Sequence, residues 1–217
     1  SRLQSLGALG ADFGTYDRMG FVINSNNATI EGLTFVQIST EANNYKISCM
    51  VTVISSNVTI RNCNFIGMGL SAANDVVGLA VTPIDAVWIS QGKGGLVSNL
   101  TVDNCTFQEL KYPFGNANFL VDLGLNVPSP ESLLKNCDFF NNDTCINMDN
   151  GLATIEDCSF FNNNIAIDAS DDGATIRRCT IVNNREHGIE ITNSENEKDE
   201  PLEHSLVTIE DSIIANN

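Results

Sequence analysis

Residues 153–164 read ATIEDCSFFNNN, residues 174–184 read ATIRRCTIVNN, and residues 206–217 read LVTIEDSIIANN. Four earlier phrases have the same form: TIEGLTFVQ from Thr29, TIRNCNFIGM from Thr59, LTVDNCTFQEL from Leu100 and SLLKNCDFFNN from Ser132. Aligned on residues 29, 59, 101, 133, 154, 175 and 208, the next position is always aliphatic: Ile30, Ile60, Val102, Leu134, Ile155, Ile176 and Ile209. Four places on come Leu33, Cys63, Cys105, Cys137, Cys158, Cys179 and Ser212, and six on come Phe35, Phe65, Phe107, Phe139, Phe160, Ile181 and Ile214. Three apolar columns in register over seven copies are the mark of a stacked-repeat architecture.

The opening residues lie 30, 42, 32, 21, 21 and 33 apart, so the unit is 21 residues and the longer intervals carry insertions. Leucine-rich repeats of similar length need a Leu-rich scaffold. Here β-branched and aromatic runs alternate with Asn, Asp and Gly, the pattern of short strands and tight turns. The cleanest copy places strands at Ile165–Ile167, Thr175–Arg177 and Cys179–Val182. The second and third are separated by one residue: Gly32, Asn62, Asn104, Asn136, Asp157, Arg178 or Asp211. Gly, Asn and Asp tolerate the left-handed backbone such a corner requires, and Arg178 is the exception.

On these residues the chain resembles the right-handed parallel β-helix of the pectin-lyase-like superfamily over roughly residues 20–217. Its Phe139–Asn142 and Phe160–Asn163 runs are also similar to repeats of bacterial polymorphic surface proteins. The resemblance implies an all-β solenoid of about seven or more coils with three sheets, an Asn-rich corner and inward ladders. It implies no single activity, because the superfamily holds lyases, hydrolases, epimerases, adhesins and inert fibres.

Eleven Lys plus Arg against 27 Asp plus Glu give a net charge of −16. This opposes nucleic-acid binding, which rests on phosphate neutralisation, and attraction to anionic membranes. No apolar run reaches the ~18 residues of a membrane span. The expected setting is extracellular or cell-surface, with residues 1–20 as an N-terminal cap or linker and 21–217 as the β-helix. An uncapped solenoid end would expose strand edges, so a longer chain or neighbouring structural chains at the solenoid ends are expected.

Stacked cysteines sit about 4.8 Å apart with parallel Cβ vectors, whereas a disulfide needs converging Cβ atoms nearer 3.8 Å. Reduced, buried thiols are therefore expected at Cys137, Cys158 and Cys179, and at Cys63 and Cys105 if the insertions loop out. Cys49 and Cys145 stay undecided. With no CxxC and only His187 and His204, a zinc site is not expected. Glycosylation sequons occur at Asn27, Asn57, Asn99, Asn104 and Asn142.

Chemistry is sought on the outward column of the first strands, read as Val22, Thr52, Trp88, Asp122, Asn147, Asp168 and Glu190. The paired inward positions are Phe21/Ile23, Val51/Val53, Val87/Ile89, Val121/Leu123, Ile146/Met148, Ile167/Ala169 and Ile189/Ile191. An aromatic beside carboxylates suits a sugar ring, so Trp88, Asp122, Asn147, Asp168 and Glu190 form the candidate carbohydrate-binding set. The alternative is an ordinary polar face with Trp88 tucked under a loop. Coil rise would put Asp168 and Glu190 roughly 5 Å apart and Asp122 and Asp168 roughly 9–10 Å apart, near retaining and inverting glycosidase separations.

The insertions are read at about residues 37–46, 67–85, 112–118, 127–132 and 193–204, and residues 67–99 as one coil or two. The string Asn147-Met148-Asp149, the pair Asp171-Asp172 and His187-Gly188 look like parts of polygalacturonase motifs. However, Asp171-Asp172 falls in a turn, and no Arg-Ile-Lys is present. Val87-Trp88-Ile89-Ser90 keeps half of a pectate-lyase motif and loses its Asp and His. Asp168, Asp171 and Asp172 would suit Ca2+ through oxygen ligands, or form only a turn; no other cofactor is implied. Two readings follow. One is a non-catalytic extracellular module contacting glycans. The other is a polysaccharide hydrolase, or less readily a lyase, with Asp122, Asp168 and Glu190 as acid/base groups.

Overall fold

A computed structural model of the chain describes residues 19–36, 49–67, 77–81, 99–117, 131–149, 152–169, 173–191 and 206–217. These residues form 21 strands in three seven-stranded sheets, every pairing parallel. The first sheet stacks Met19–Ile23, Cys49–Val53, Val77–Val81, Tyr112–Ala117, Thr144–Asp149, Ile165–Asp168 and His187–Glu190. The second stacks Thr29–Glu31, Thr59–Arg61, Leu100–Asp103, Glu131–Lys135, Leu152–Glu156, Gly173–Arg177 and Val207–Glu210. The third stacks Thr34–Val36, Asn64–Ile66, Thr106–Gln108, Asp138–Phe140, Ser159–Phe161, Thr180–Val182 and Ile213–Ala215. Each turn of the chain contributes one strand to each sheet, which is a parallel β-helix of seven coils. Parallel crossovers favour the right hand almost without exception.

The repeat columns are the core. Ile60, Val102, Leu134, Ile155 and Ile176 are fully buried, as are Phe65, Phe107, Phe139 and Phe160. Successive rings from Phe35 to Phe160 stack with centroids 5.0, 4.6, 4.9 and 4.7 Å apart. Identical residues stack because the register is strict: Phe139 pairs with both Phe107 and Phe160.

All seven corner residues between the second and third sheets have left-handed φ, from +47° at Asp211 to +69° at Gly32. Arg178 takes φ +53°. Its guanidinium is anchored to the corner below, Nε to Asp157 Oδ1 and Nη2 to Asp157 Oδ2, each at 2.8 Å. That bidentate contact offsets a backbone conformation costing an L-residue roughly 1–2 kcal/mol. Two further left-handed columns mark the other corners: Asn27, Asn57 and Asn99 before the second sheet, and Glu109, Asn141, Asn162, Asn183 and Asn216 after the third.

Behind the last corner runs a buried amide ladder that the repeat alignment did not single out. Asn163 donates through Nδ2 to Phe139 O and to Asn184 Oδ1, both at 3.1 Å. Its Oδ1 accepts from Asn142 N–H (2.9 Å) and from Asn142 Nδ2 (3.1 Å). Asn184 and Asn217 repeat the arrangement. Asn142 and Asn163 are fully buried, so the ladder satisfies backbone groups at a corner closed to solvent.

Cys63, Cys105, Cys137, Cys158 and Cys179 are reduced and buried in one column, and Cys145, undecided from sequence, is also a free buried thiol. The side chain of Cys49 lies outside the described residues. Each ladder thiol faces two carbonyls, as Cys158 Sγ does at Glu156 O (3.1 Å) and Leu134 O (3.7 Å). The Cys158 thiol is lowered by its bond with Cys137, but Cys179 and burial outweigh this and push it up to about 12. Cys145 is raised well above 9.0, chiefly by burial. Cys179 is held lower by Cys158, so its inertness rests on its burial. Cys137, Cys158 and Cys179 should therefore resist a thiol reagent in the native state and react after denaturation without reductant. A Cys158→Ser change should cost about 1–2 kcal/mol, since Ser212 in the same column bonds Glu210 O and Cys179 N–H. Cys158→Asp should cost several kcal/mol. Rapid native labelling would break the assigned register.

The expected insertions at 37–46 and 193–204 fall between strands, but those at 67–85 and 112–118 are corrected. Val77–Val81, expected inside an insertion, is the third strand of the first sheet, and Tyr112–Ala117 is the fourth. Pro113 and Gly115 are poor strand residues, yet Phe114 is fully buried and pairs with Ile146. Residues 82–98 and 118–130 thus fall between the first and second sheets. Residues 1–18, with the expected cap, lie outside the described residues, as does 192–205.

Candidate functional site

The first sheet's outward column runs Val22, Thr52, Ala80, Gly115, Asn147, Asp168, Glu190. Ala80 and Gly115 hold the places expected for Trp88 and Asp122. The error has a simple cause: Val87-Trp88-Ile89 and Val121-Asp122-Leu123 have a strand's alternation, but Val77–Val81 and Tyr112–Ala117 already take those places in the first sheet. Trp88 and Asp122 lie outside the described residues, with Val87, Ile89, Val121 and Leu123. The separation argued for Asp122 and Asp168 therefore falls with its premise.

Asn147, Asp168 and Glu190 do share one column on consecutive strands, and all are half-buried. Val51, Val53, Ile146, Met148, Ile167 and Ala169 point inward as expected, whereas Ile191 is 51% exposed. Nearer the first coil the face is closed. Thr52 and Met50, on the outward side of their strand, are buried, and the Thr52 hydroxyl has no partner among the described residues. No cluster of metal-ligating side chains occurs among the described residues, and Asp171 and Asp172 lie outside them.

The second sheet presents a more regular outer face. One column reads Thr29, Thr59, Thr101, Leu133, Thr154, Thr175, Thr208, and the next reads Glu31, Arg61, Asp103, Lys135, Glu156, Arg177, Glu210. The charges alternate in sign as far as Glu210. Arg61 bridges Glu31 at 2.8 Å and Lys135 bridges Asp103 at 3.3 Å. Arg177 pairs closely with Glu156, which Arg178 also reaches at 3.1 Å. The hydrogen bond from Arg61 holds the Glu31 carboxyl below its ordinary 4.5, that from Arg177 does so for Glu156, and that from Arg178 lowers Asp157 below 3.8. Such exposed pairs contribute little stability individually, and opposite charges in adjacent coils favour one register.

Beside these columns a groove of about 660 Å³ runs along the solenoid over Thr101, Leu133, Thr154, Thr175 and Thr208. Glu131, Leu152 and Leu206 stand on one side, Glu156 and Arg177 on the other. Leu152 and Leu206 are exposed. The groove was missed from the sequence, although its signal was present: the Thr that opens most phrases is the outward neighbour of a core residue.

On the third sheet, Phe140 and Phe161 stack outward with centroids 5.3 Å apart and planes 10° apart. Stacked this closely, they turn ring edges to solvent, and a sugar needs a ring face. Of the sequons, Asn27, Asn57, Asn99 and Asn104 are exposed corner residues. The Asn99 amide donates to Asn57 Oδ1 (2.9 Å) and that of Asn104 to Asn62 Oδ1 (2.7 Å). Asn142 is corrected as a glycosylation candidate, because its buried amide is spent on Phe107 O and Asn163 Oδ1.

The sheets, ladders and corners define the class: a right-handed parallel β-helix. Residues 122–217 match the family model described as the right handed beta helix region. No curated protein matches this chain.

Proposed function

We propose that this chain is a non-catalytic, extracellular β-helical module of a surface or fibre-forming protein, a rigid spacer that also contacts glycans. The observation that carries this is the continuity of the stack. Phe, Cys and Asn ladders run coil on coil, so neighbouring coils are coupled throughout and the rod resists bending. Among the described residues, the carboxyls whose ionisation is shifted are lowered by arginines, the reverse of what a general acid needs. Purified protein should release neither oligosaccharides nor ultraviolet-absorbing unsaturated products from a panel of plant, algal and bacterial polysaccharides. Turnover of any would overturn the non-catalytic reading.

A second reading, a polysaccharide hydrolase, is favoured by one observation: Asp168 and Glu190 are register partners on the first sheet. One coil of rise, about 4.8 Å, is close to the ~5–5.5 Å separation of a retaining pair. In that case Asp168→Asn should abolish turnover with β-sheet circular dichroism unchanged. Wild-type rates in that variant would remove Asp168 from any mechanism.

A further inference from the structure

The second-sheet groove has three properties that together specify a ligand. Its floor offers a hydroxyl on each of the last three coils, Thr154, Thr175 and Thr208, in strict register. A donor–acceptor repeated at the coil rise of about 4.8 Å matches a ligand that itself repeats, an extended polymer lying along the axis. Its charged rim residues are Glu131, Glu156 and Arg177, and Arg177 pairs with Glu156. In a chain of net charge −16 this leaves no attraction for a polyanion. Finally, Leu152 and Leu206 are exposed beside this floor and offer apolar surface. Hydroxyls beside apolar side chains suit a ligand that carries both hydroxyl groups and apolar ring faces.

Resting on the glycan-contact reading above, we propose that this groove binds an uncharged linear polysaccharide. The Thr hydroxyls bond its hydroxyl groups, and Leu133, Leu152 and Leu206 meet the apolar faces of its rings. Contact here is independent of the first-sheet carboxylates. With no aromatic ring face on the floor, affinity depends on several sugar units engaging at once.

The test is calorimetric titration of the whole chain with β-1,4-linked hexasaccharides of glucose, mannose and xylose, and with hexagalacturonate as the acidic comparison. Wild-type protein should bind at least one neutral hexasaccharide, and hexagalacturonate at least tenfold more weakly. The double variant Thr154→Val, Thr175→Val keeps side-chain shape and strand preference and should bind at least tenfold more weakly, with an unchanged urea midpoint. If the valine variant folds and binds as tightly as wild type, the groove is not the site, while the glycan-contact reading stands. If none of the neutral hexasaccharides binds, both fall. Preference for hexagalacturonate would overturn the uncharged class.

Discussion

An Asn163→Ala variant is expected to unfold in urea with about 3–5 kcal/mol less stability than wild type. The amide does four things at once: it accepts from Asn142 N–H and Nδ2 and donates to Phe139 O and Asn184 Oδ1. Alanine leaves the Asn142 N–H and the Phe139 carbonyl without these partners in a site closed to solvent, each a loss of roughly 1–3 kcal/mol. The adjacent Asn162 is a sharp control. It is exposed with φ +57°, so Asn162→Ala should cost only about 1 kcal/mol and Asn162→Gly almost nothing. Equal losses at positions 162 and 163 would mean that corner conformation, not the amide ladder, holds this edge.

The Phe139→Ala change is expected to cost about 3–5 kcal/mol. Phe139 is fully buried, between ring centroids 4.9 Å on one side and 4.7 Å on the other. Removing it opens a cavity in the middle of a column whose neighbours are pinned by strand register and cannot close in. In a solenoid each coil is stabilised mainly by the next, so the loss should also uncouple the two halves. A broader urea transition with a reduced slope would report this. Phe161→Ala, at a ring 37% exposed, should cost about 1 kcal/mol or less. A cost at Phe161 matching that at Phe139 would contradict the division into inward and outward faces.

The fold was legible because the same physical demand recurs seven times. A residue facing the axis of a β-helix must be apolar and must fit its own counterpart above and below, so the inward positions converge on Ile, Cys and Phe. A one-residue corner must be left-handed, so Gly, Asn and Asp collect there. Arg178 broke the composition rule and still adopts φ +53°, because the coil below supplies Asp157 as its anchor. That partner is 21 residues away, beyond the reach of local propensity.

Outward positions carry no such demand, and the candidate site was read less well for that reason. Trp88 and Asp122 have strand-like neighbours, but the register that counts, Thr52 to Ala80 to Gly115 to Asn147, is set by where each coil closes. Closure depends on the short corner after Gln108, and Phe114 filling the core outweighs the poor strand preference of Pro113 and Gly115. Asn142 shows the same limit: its sequon is intact, but the second Asn of each pair turns inward to bond the backbone of the corner. By itself the sequence determined the stacked coils, the apolar columns and the left-handed corner between the second and third sheets, since each is a local or strictly periodic requirement. Only the tertiary structure decided which outward residues share a column, that the groove lies on the second sheet, and that asparagines line the interior, because these follow from the pairing of strands between coils.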